Sequence, residues 1–467
     1  MDPILPPDAE LAHEALEEGR LSRGFVADVS AAVDNGDDEA ARALAAPLHP
    51  ADIADLFGLL SEDRRAPLAR ALGELLDAEV IAELDDYVRE DVLAALSMGE
   101  VAVVLTQLDT DDAVAIIEDL EADEQAEVLQ ALAPADRADI EAALNYPEES
   151  AGRLMQRELV AVPENVTVGE VIERVRATID PATDFWEIFV VDDRQHPIGT
   201  MRLSWLLTTP PEFSVGDVMQ REQTLIPVDM DQEEVALQFQ KYALISAAVV
   251  DGGGKLVGVI TVDDIVHIIQ EEAGEDALKL SGAGDGDINE PVFETYKTRS
   301  RWLIANLGTG LISASIIYAF EPTIEKLVVL AALSPIVASV GGNAGTQTMA
   351  VTVRALATNQ LTDTNTRRTI WREIRVAMLN GGTIATLMGV GTAVLFGNPV
   401  LGAVIAMAAL FNILVAGLAG VLVPVTLDRF GADPAVASSV FVTMTTDSMG
   451  FLGFLGLATL VGVASLT

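Results

Sequence analysis

The sequence predicts a multi-domain protein with a cytosolic all-α superhelical domain, an α/β module of two tandem units, a connecting helix and a transmembrane domain of five α-helices. Three observations predict it. The first 296 residues hold 18 basic and 65 acidic side chains and the last 171 hold 10 and 7, although half of all residues are hydrophobic. Acidity and apolarity therefore occupy different domains. Leucine recurs every twelfth residue from Leu48 to Leu144, and a strand–turn–strand–helix texture repeats about sixty residues apart beyond Gly152.

The N-terminal part, residues 1–146, reads as an acidic helical superhelix. Leu48, Leu60, Leu72, Leu84, Leu96, Leu108, Leu120, Leu132 and Leu144 set the period, and helix-start patterns follow, as in Leu60-Ser61-Glu62-Asp63, Leu108-Asp109-Thr110-Asp111 and Leu132-Ala133-Pro134. Short helices of about two turns stacked on one another fit this spacing. No catalytic constellation lies in it, so it reads as a scaffold or regulatory element.

Residues 147–275 form the tandem module. Phe189-Val190-Val191-Asp192 leads to Pro197-Ile198-Gly199-Thr200-Met201, and Ala248-Val249-Val250-Asp251 leads to the run from Leu256 to Asp264. Two such units are expected to pair face to face. The module resembles a tandem cystathionine-β-synthase-type (CBS) domain. In that family an Asp three residues after a Ser or Thr often holds a nucleotide's ribose, which implies Thr261 and Asp264 as nucleotide-binding residues in the second unit. The first unit has Arg202 and Ser204 where that pattern places Ser and Asp.

The connecting segment is 276–300: after Gln270 to Leu280 comes a Gly/Asp-rich break, Gly282 to Asp287, and then an amphipathic helix, Pro291 to Arg301. The break is expected to act as a hinge. The transmembrane part, 301–467, contains five apolar stretches, Trp302–Phe320, Leu327–Val353, Val376–Phe396, Val400–Leu427 and Ala435–Leu466. Each can cross a hydrocarbon core of roughly 30 Å. Lys297, Arg299 and Arg301 precede the first span, and Arg354, Arg367, Arg368, Arg372 and Arg375 separate the second from the third. By the positive-inside rule the N-terminal part is cytoplasmic and the C-terminus extracellular or periplasmic, in a multi-pass protein of the cell (inner) membrane.

These spans carry chemistry. Asn306, Asn343, Asn380 and Asn412 stand one in each of the first four, and Asp447 lies near the middle of the fifth, where an isolated carboxylate costs several kcal/mol. Ser439, Thr443, Thr446, Asp447 and Gly450 share a helical face by their spacing, which predicts a wet cavity. In the second span Pro335 precedes Gly341-Gly342-Asn343-Ala344-Gly345-Thr346-Gln347, a run that permits close approach and exposes backbone. Gly417 and Gly420 read as packing residues.

Taken together the chain resembles the MgtE family of magnesium channels and transporters. The motifs, in order, are Ser150-Ala151-Gly152-Arg153-Leu154-Met155, Phe320-Glu321, the Gly341 to Gln347 run, Arg354-Ala355-Leu356-Ala357, and Thr445-Thr446-Asp447 with Gly450. The resemblance implies a homodimer with a pore on its two-fold axis, Asp447 selecting the ion, and Gly341, Gly342, Asn343 and Thr443 near the path. Ser439 replaces an Asn often found two turns before the pore Asp, and Thr443 a common Ala. It further implies cytosolic Mg²⁺ closing the pore, with candidate ligands Asp229, Asp231, Glu233, Glu234, Asp263, Asp264, Glu271, Glu272, Glu275 and Asp276. Mg²⁺ is both cargo and regulator in this reading, ATP is a candidate ligand of the CBS units, and the bilayer and other divalent cations are the remaining partners.

Two other classes stay open at this point: an ion-coupled secondary divalent-cation transporter using Asp447 as relay, and a membrane-anchored CBS sensor without transport. Nucleic acid is disfavoured because no basic patch exists to meet phosphates. Zero Cys removes disulfides, thiolate sites and Cys nucleophiles, and four His offer no constellation for an enzyme. The N-terminus has neither a basic region nor an apolar core, so no secretory signal is expected. With 5 Lys against 23 Arg the acidity also fits salt adaptation, so charge alone does not locate a site.

Overall fold

A computed structural model of the chain describes residues 15–17, 19–178, 185–282, 288–362 and 364–462. It divides into two compact units, Met1–Gln270 and Glu271–Thr467.

Among its described residues the first unit begins with a short hairpin, β1 (Leu16–Glu17) and β2 (Arg20–Leu21). Ten helices follow, α1 to α10: Arg23–Asp34, Asp38–Ala45, Pro50–Leu59, Glu62–Leu72, Ala78–Ala82, Asp86–Leu93, Met98–Leu105, Thr110–Glu118, Ala122–Ala131 and Pro134–Ala143. Their starts follow the sequence signals, with Ser61, Asp109 and Ala133 as N-cap residues of α4, α8 and α10, and a reciprocal Ser97–Glu100 capping box on α7. The twelve-residue leucines are the core: Leu48, Leu60, Leu72, Leu84, Leu120 and Leu132 are buried, and Leu96, Leu108 and Leu144 pack against the same cluster. Each turn of the superhelix thus contributes one leucine to a continuous apolar seam, at roughly 1.5–3 kcal/mol per buried side chain. Ion pairs stitch neighbouring layers: Arg65 to Asp91 at 2.7 Å and Arg89 to Asp119 at 2.6 Å, both arginines buried.

The CBS pair contains two three-stranded sheets, β3 (Ala161–Pro163), β4 (Glu187–Val191), β5 (Pro197–Arg202), and β6 (Leu225–Pro227), β7 (Ser246–Val250), β8 (Leu256–Thr261). In each the first two strands are parallel and the last two antiparallel. The hairpins lie where the hydrophobic runs place them, whereas β3 and β6 are only three residues long and leave too little pattern to read. The units include α11 (Val168–Thr178), α12 (Leu203–Thr208), α13 (Val215–Val218) and α14 (Gln232–Tyr242), and the second ends in α15 (Val262–Ser281). They pair through Phe189, Ala248 and Val259, with Ser246 Oγ donating to Glu187 at 2.6 Å.

The second unit holds the five long apolar helices: α16 (Val292–Ala319), then α18 (Val329–Ala357) after the short α17 (Glu321–Lys326), α19 (Thr366–Phe396), α20 (Pro399–Arg429) and α21 (Pro434–Val461). Residues 276–300 are not one connecting helix. The first six close α15, which ends at Gly282 with φ +70°, and Val292 to Ser300 begin the first span itself, because nothing between Pro291 and Ala319 breaks the helix. The rest of the expected hinge, residues 283–287, lies outside the described residues. Gly417 and Gly420 do pack, in two directions: a Cβ on Gly417 would sit 3.0 Å from Ala377 of α19, and one on Gly420 2.8 Å from the Gly345 carbonyl of α18.

Candidate ion path and cation sites

In the membrane unit α18 and α21 meet through glycine. A Cβ on Gly345 would stand 2.8 Å from Val442 and 3.2 Å from Thr446, and one on Gly342 3.9 Å from Thr446 Oγ1. The polar face expected of α21 is therefore divided. Thr446 and Gly450 are buried in the helix contact, Asp447 and Ser439 are partly buried, and Thr443 is exposed. The Thr446 hydroxyl donates back to the Val442 and Thr443 carbonyls at 3.0 Å, leaving no demand on the neighbouring helix. Asn343 on α18 is exposed like Thr443. Among the described residues no hydrogen bond or ion pair engages the Asp447 carboxylate.

The ten acidic sensor candidates fall into three places. Asp229, Asp231, Glu233 and Glu234 stand at the start of α14, where Asp231 is already the N-cap, accepting from the Glu233 amide at 2.9 Å. Asp263 and Asp264 are in the first turn of α15. Glu271, Glu272, Glu275 and Asp276 lie in its later turns. Among the described residues no group of three or more His, Asp or Glu side chains is drawn together closely enough to hold a metal ion directly.

One concentration of negative charge includes three residues whose sequence context reads only as a helix start: Asp109, Asp111 and Asp112, at the N-terminus of α8. Asp111 lies against Asp264; burial, then Asp264 and the two neighbouring aspartates, push its carboxyl well above the usual range, and its Oδ1 is buried without a partner. Burial also raises Asp112, assisted by Glu83 and Asp263 against the opposing effect of Arg89. Asp264 is pushed up to about 7, by burial first and then by Asp263, Asp112 and Asp109, although the Thr261 hydroxyl donates to it at 2.7 Å. Gln156 Nε2 donates to the same oxygen at 3.3 Å. Thr261 and Asp264 are thus already engaged with each other. In the first unit the strand register pairs Arg202 with Glu187 as it pairs Thr261 with Ser246, so the counterpart of Asp264 is Trp205 rather than Ser204. A tryptophan offers a ribose no carboxylate.

The end of α15 carries the third group. Lys279 pairs with Glu275 and reaches Asp433, just before α21, at 3.4 Å. Burial and the nearby Asp433 raise the Asp276 carboxyl. Leu280 packs against the cluster of Met349 and Val353 from α18 with Ala435 and Val442 from α21. The last turn of α15 therefore rests on the same two helices that carry Gly342 and Asp447.

The chain is similar in sequence to known proteins. The MgtE family, described as a divalent cation transporter, matches residues 334–457; the MgtE intracellular N domain matches 48–149 and the CBS domain 215–271. The magnesium transporter MgtE of Thermus thermophilus is 35% identical over 328 residues, 69% of this chain and 72% of that protein. The chain belongs to the MgtE family. The Bacillus subtilis MgtE is 31% identical over 321 residues, 68% of this chain and 71% of that one. Among solved structures, a crystal structure of the cytosolic domain of the Mg²⁺ channel MgtE in complex with ATP is 30% identical, with a TM-score of 0.48, covering 52% of this chain and 99% of that one. Membership of a magnesium transporter family accords with the five long apolar helices among the described residues.

Proposed function

We propose that this MgtE-family chain carries Mg²⁺ through the membrane along a path lined by α18 and α21, and that cytosolic Mg²⁺ closes it. The observation that carries the first half is Asp447, a mid-span carboxylate with no partner among the described residues, flanked by Thr443 and Asn343 on surfaces open within one chain. Polar groups at that depth are not left to lipid. A second copy brought face to face across this surface would enclose them and place two carboxylates around a water-filled axis. Mg²⁺ sheds water reluctantly and is usually held through one or two carboxylates plus water. Two Asp447 side chains, with Gly341, Gly342, Asn343 and Thr443 near the path, suit a hydrated ion. The basic residues around the spans support a cytoplasmic N-terminal part and an outside C-terminus.

The gate rests on carboxylates brought close to one another, most of them held above the usual range by burial and by each other. Asp109, Asp111 and Asp112 of the helical domain meet Asp263 and Asp264 of the CBS pair, and the orphaned Asp111 oxygen and the upward shifts are the marks of a place that favours a cation. These residues, with water, would hold regulatory Mg²⁺, which supplies the positive charge that makes their approach favourable. Without it they repel, and the helical domain separates from the CBS pair. Asp276 with Asp433 is a second such place, and Glu271, Glu272 and the α14 group add to the field. Since α15 runs unbroken from Asp263 to Leu280, tension at one end reaches the helices under the other. An adenine nucleotide at Thr261 and Asp264 would compete with Asp111 and Gln156 for the same carboxylate. Substituting Asp447 in reconstituted protein and following Mg²⁺ flux tests the path: wild-type flux from Asp447→Ala refutes it.

A further inference from the structure

Asn412 lies in the middle of α20 and is wholly buried, a primary amide where the surroundings are otherwise aliphatic or glycine. Its Nδ2 donates to the Val337 carbonyl of α18 at 2.9 Å, and its Oδ1 is buried with no partner. Burying an amide half-satisfied is costly compared with burying an apolar side chain of similar size. Its shape is what the site uses. A Cβ on Gly341 of α18 would overlap the amide, and one on Gly450 of α21 would come within 2.7 Å of Nδ2 and 3.4 Å of the Ala338 Cα. The flat amide therefore fills a slot between two bare glycine backbones, one on each helix assigned to the ion path.

From this geometry we infer that Asn412 is a positioning residue: it sets the separation and rotation of α18 and α21, and with them the discrimination among divalent cations at Asp447. Gly341 directly precedes Gly342 and Asn343, and Gly450 follows Asp447 by three residues, less than one turn. Any change in slot width moves Asp447 relative to Gly342 and Asn343. The bond to Val337, one turn before Gly341, also fixes which face α18 turns to the path. Ions differ in the room they need: Mg²⁺ demands oxygens at about 2.0–2.1 Å and keeps its waters, whereas Ca²⁺ accepts about 2.3–2.6 Å and more ligands. A gap changed by a few tenths of an ångström is enough to reorder them. This inference rests on the proposed path, so its test must separate the two.

The test uses the full chain reconstituted in liposomes, with Mg²⁺ and Ca²⁺ uptake measured separately in wild type, Asn412→Ala, Gly450→Ala, the double variant and Asp447→Ala. Asn412→Ala, while keeping wild-type assembly by size-exclusion chromatography, raises the Ca²⁺ to Mg²⁺ flux ratio by about fivefold or more. Gly450→Ala lowers Mg²⁺ flux by about tenfold through collision with the amide, and the double variant recovers at least a third of the wild-type rate. A structural role alone would lower thermal stability without moving the ion ratio. Should Asn412→Ala not assemble, Asn412→Ser, which also empties most of the slot, is read in the same way. An unchanged ratio in an assembled Asn412 variant, or a double variant no better than Gly450→Ala, overturns the inference while a dead Asp447→Ala leaves the path standing; normal flux from Asp447→Ala overturns both.

Discussion

At Asp447 the proposed path depends on a single charge per chain, which makes the residue-scale outcome sharp. Asp447→Ala is expected to lower Mg²⁺ flux by about 100-fold, the equivalent of roughly 2.7 kcal/mol of lost ion stabilisation. Asp447→Asn, which keeps shape and hydrogen bonding, is expected to fall nearly as far; radiotracer or dye uptake at equal protein density measures both. Asp264 gives a second residue-scale expectation, in the absence of divalent ions. Its carboxyl titrates at about 7 in the fold against 3.8 for an ordinary Asp. Between those values the folded state holds a proton that the unfolded chain has lost, so stability falls as pH rises through the window and the loss is complete above it. Amide exchange over Asp109 to Ala113 in the intact protein, corrected for intrinsic rates, is expected to open about tenfold or more faster at pH 8 than at pH 6, because each pH step of one within that window changes the balance about tenfold. Asp264→Asn is expected to remove most of that dependence, and millimolar Mg²⁺ to suppress opening at pH 8. A wild-type rate indifferent to pH would contradict the coupling of Asp111 to Asp264.

At the scale of elements the decisive one is α15, because its first turn carries Asp263 and Asp264 and its last turn rests Leu280 on α18 and α21. Leu280→Asp puts a charge into that contact and is expected to keep Mg²⁺ flux high, by about fivefold or more over wild type, when Mg²⁺ on the cytosolic side is millimolar. Equal inhibition of variant and wild type would place the gate elsewhere. Much of this architecture is legible in the sequence. The leucine period announces the superhelix because each repeat must bury one apolar side chain, and length with hydropathy announces the spans because a bilayer tolerates little else. Less can be read where contacts are long-range. The strands β3 and β6 carry three residues each, below the length at which alternation can be recognised. Asp109, Asp111 and Asp112 read as an ordinary helix start, since acidic residues favour that position for the helix dipole alone; only the fold brings Asp264 to them. The division of the α21 face into a buried Thr446 and a partly exposed Asp447 depends on glycine contacts with α18, which spacing along one helix does not encode. Likewise the sequence marks a helical break near Gly282, but the absence of any break between Val292 and Ala319 merges the connector with the first span.

For the whole molecule, conduction is proposed to belong to the second unit and inhibition to the first, with α15 as the transmitting element. A chain beginning near Pro291 is therefore expected to conduct Mg²⁺ and to lose closure at millimolar cytosolic Mg²⁺; a folded, membrane-inserted chain of this kind with no flux would make the cytosolic unit part of the permeation machinery. The charge of the first unit adds a control, because exposed acids interact weakly beyond a Debye length of about 8 Å whereas ligands of one ion must converge. Neutralising Asp28, Asp38, Glu39 and Glu62 should leave inhibition intact, while Asp111→Asn with Asp264→Asn should weaken it. A Mg²⁺ path closed by Mg²⁺ at converging carboxylates calls for one measurement. Full-length protein is reconstituted in liposomes without a proton or sodium gradient, and tracer Mg²⁺ flux is followed as Mg²⁺ on the cytosolic side is stepped from micromolar to millimolar. Flux driven by the Mg²⁺ gradient alone is expected to fall by about tenfold or more across the step in wild type and to persist in the Asp111→Asn, Asp264→Asn protein. Flux that requires a proton or sodium gradient, or that ignores the step in wild type, would contradict it.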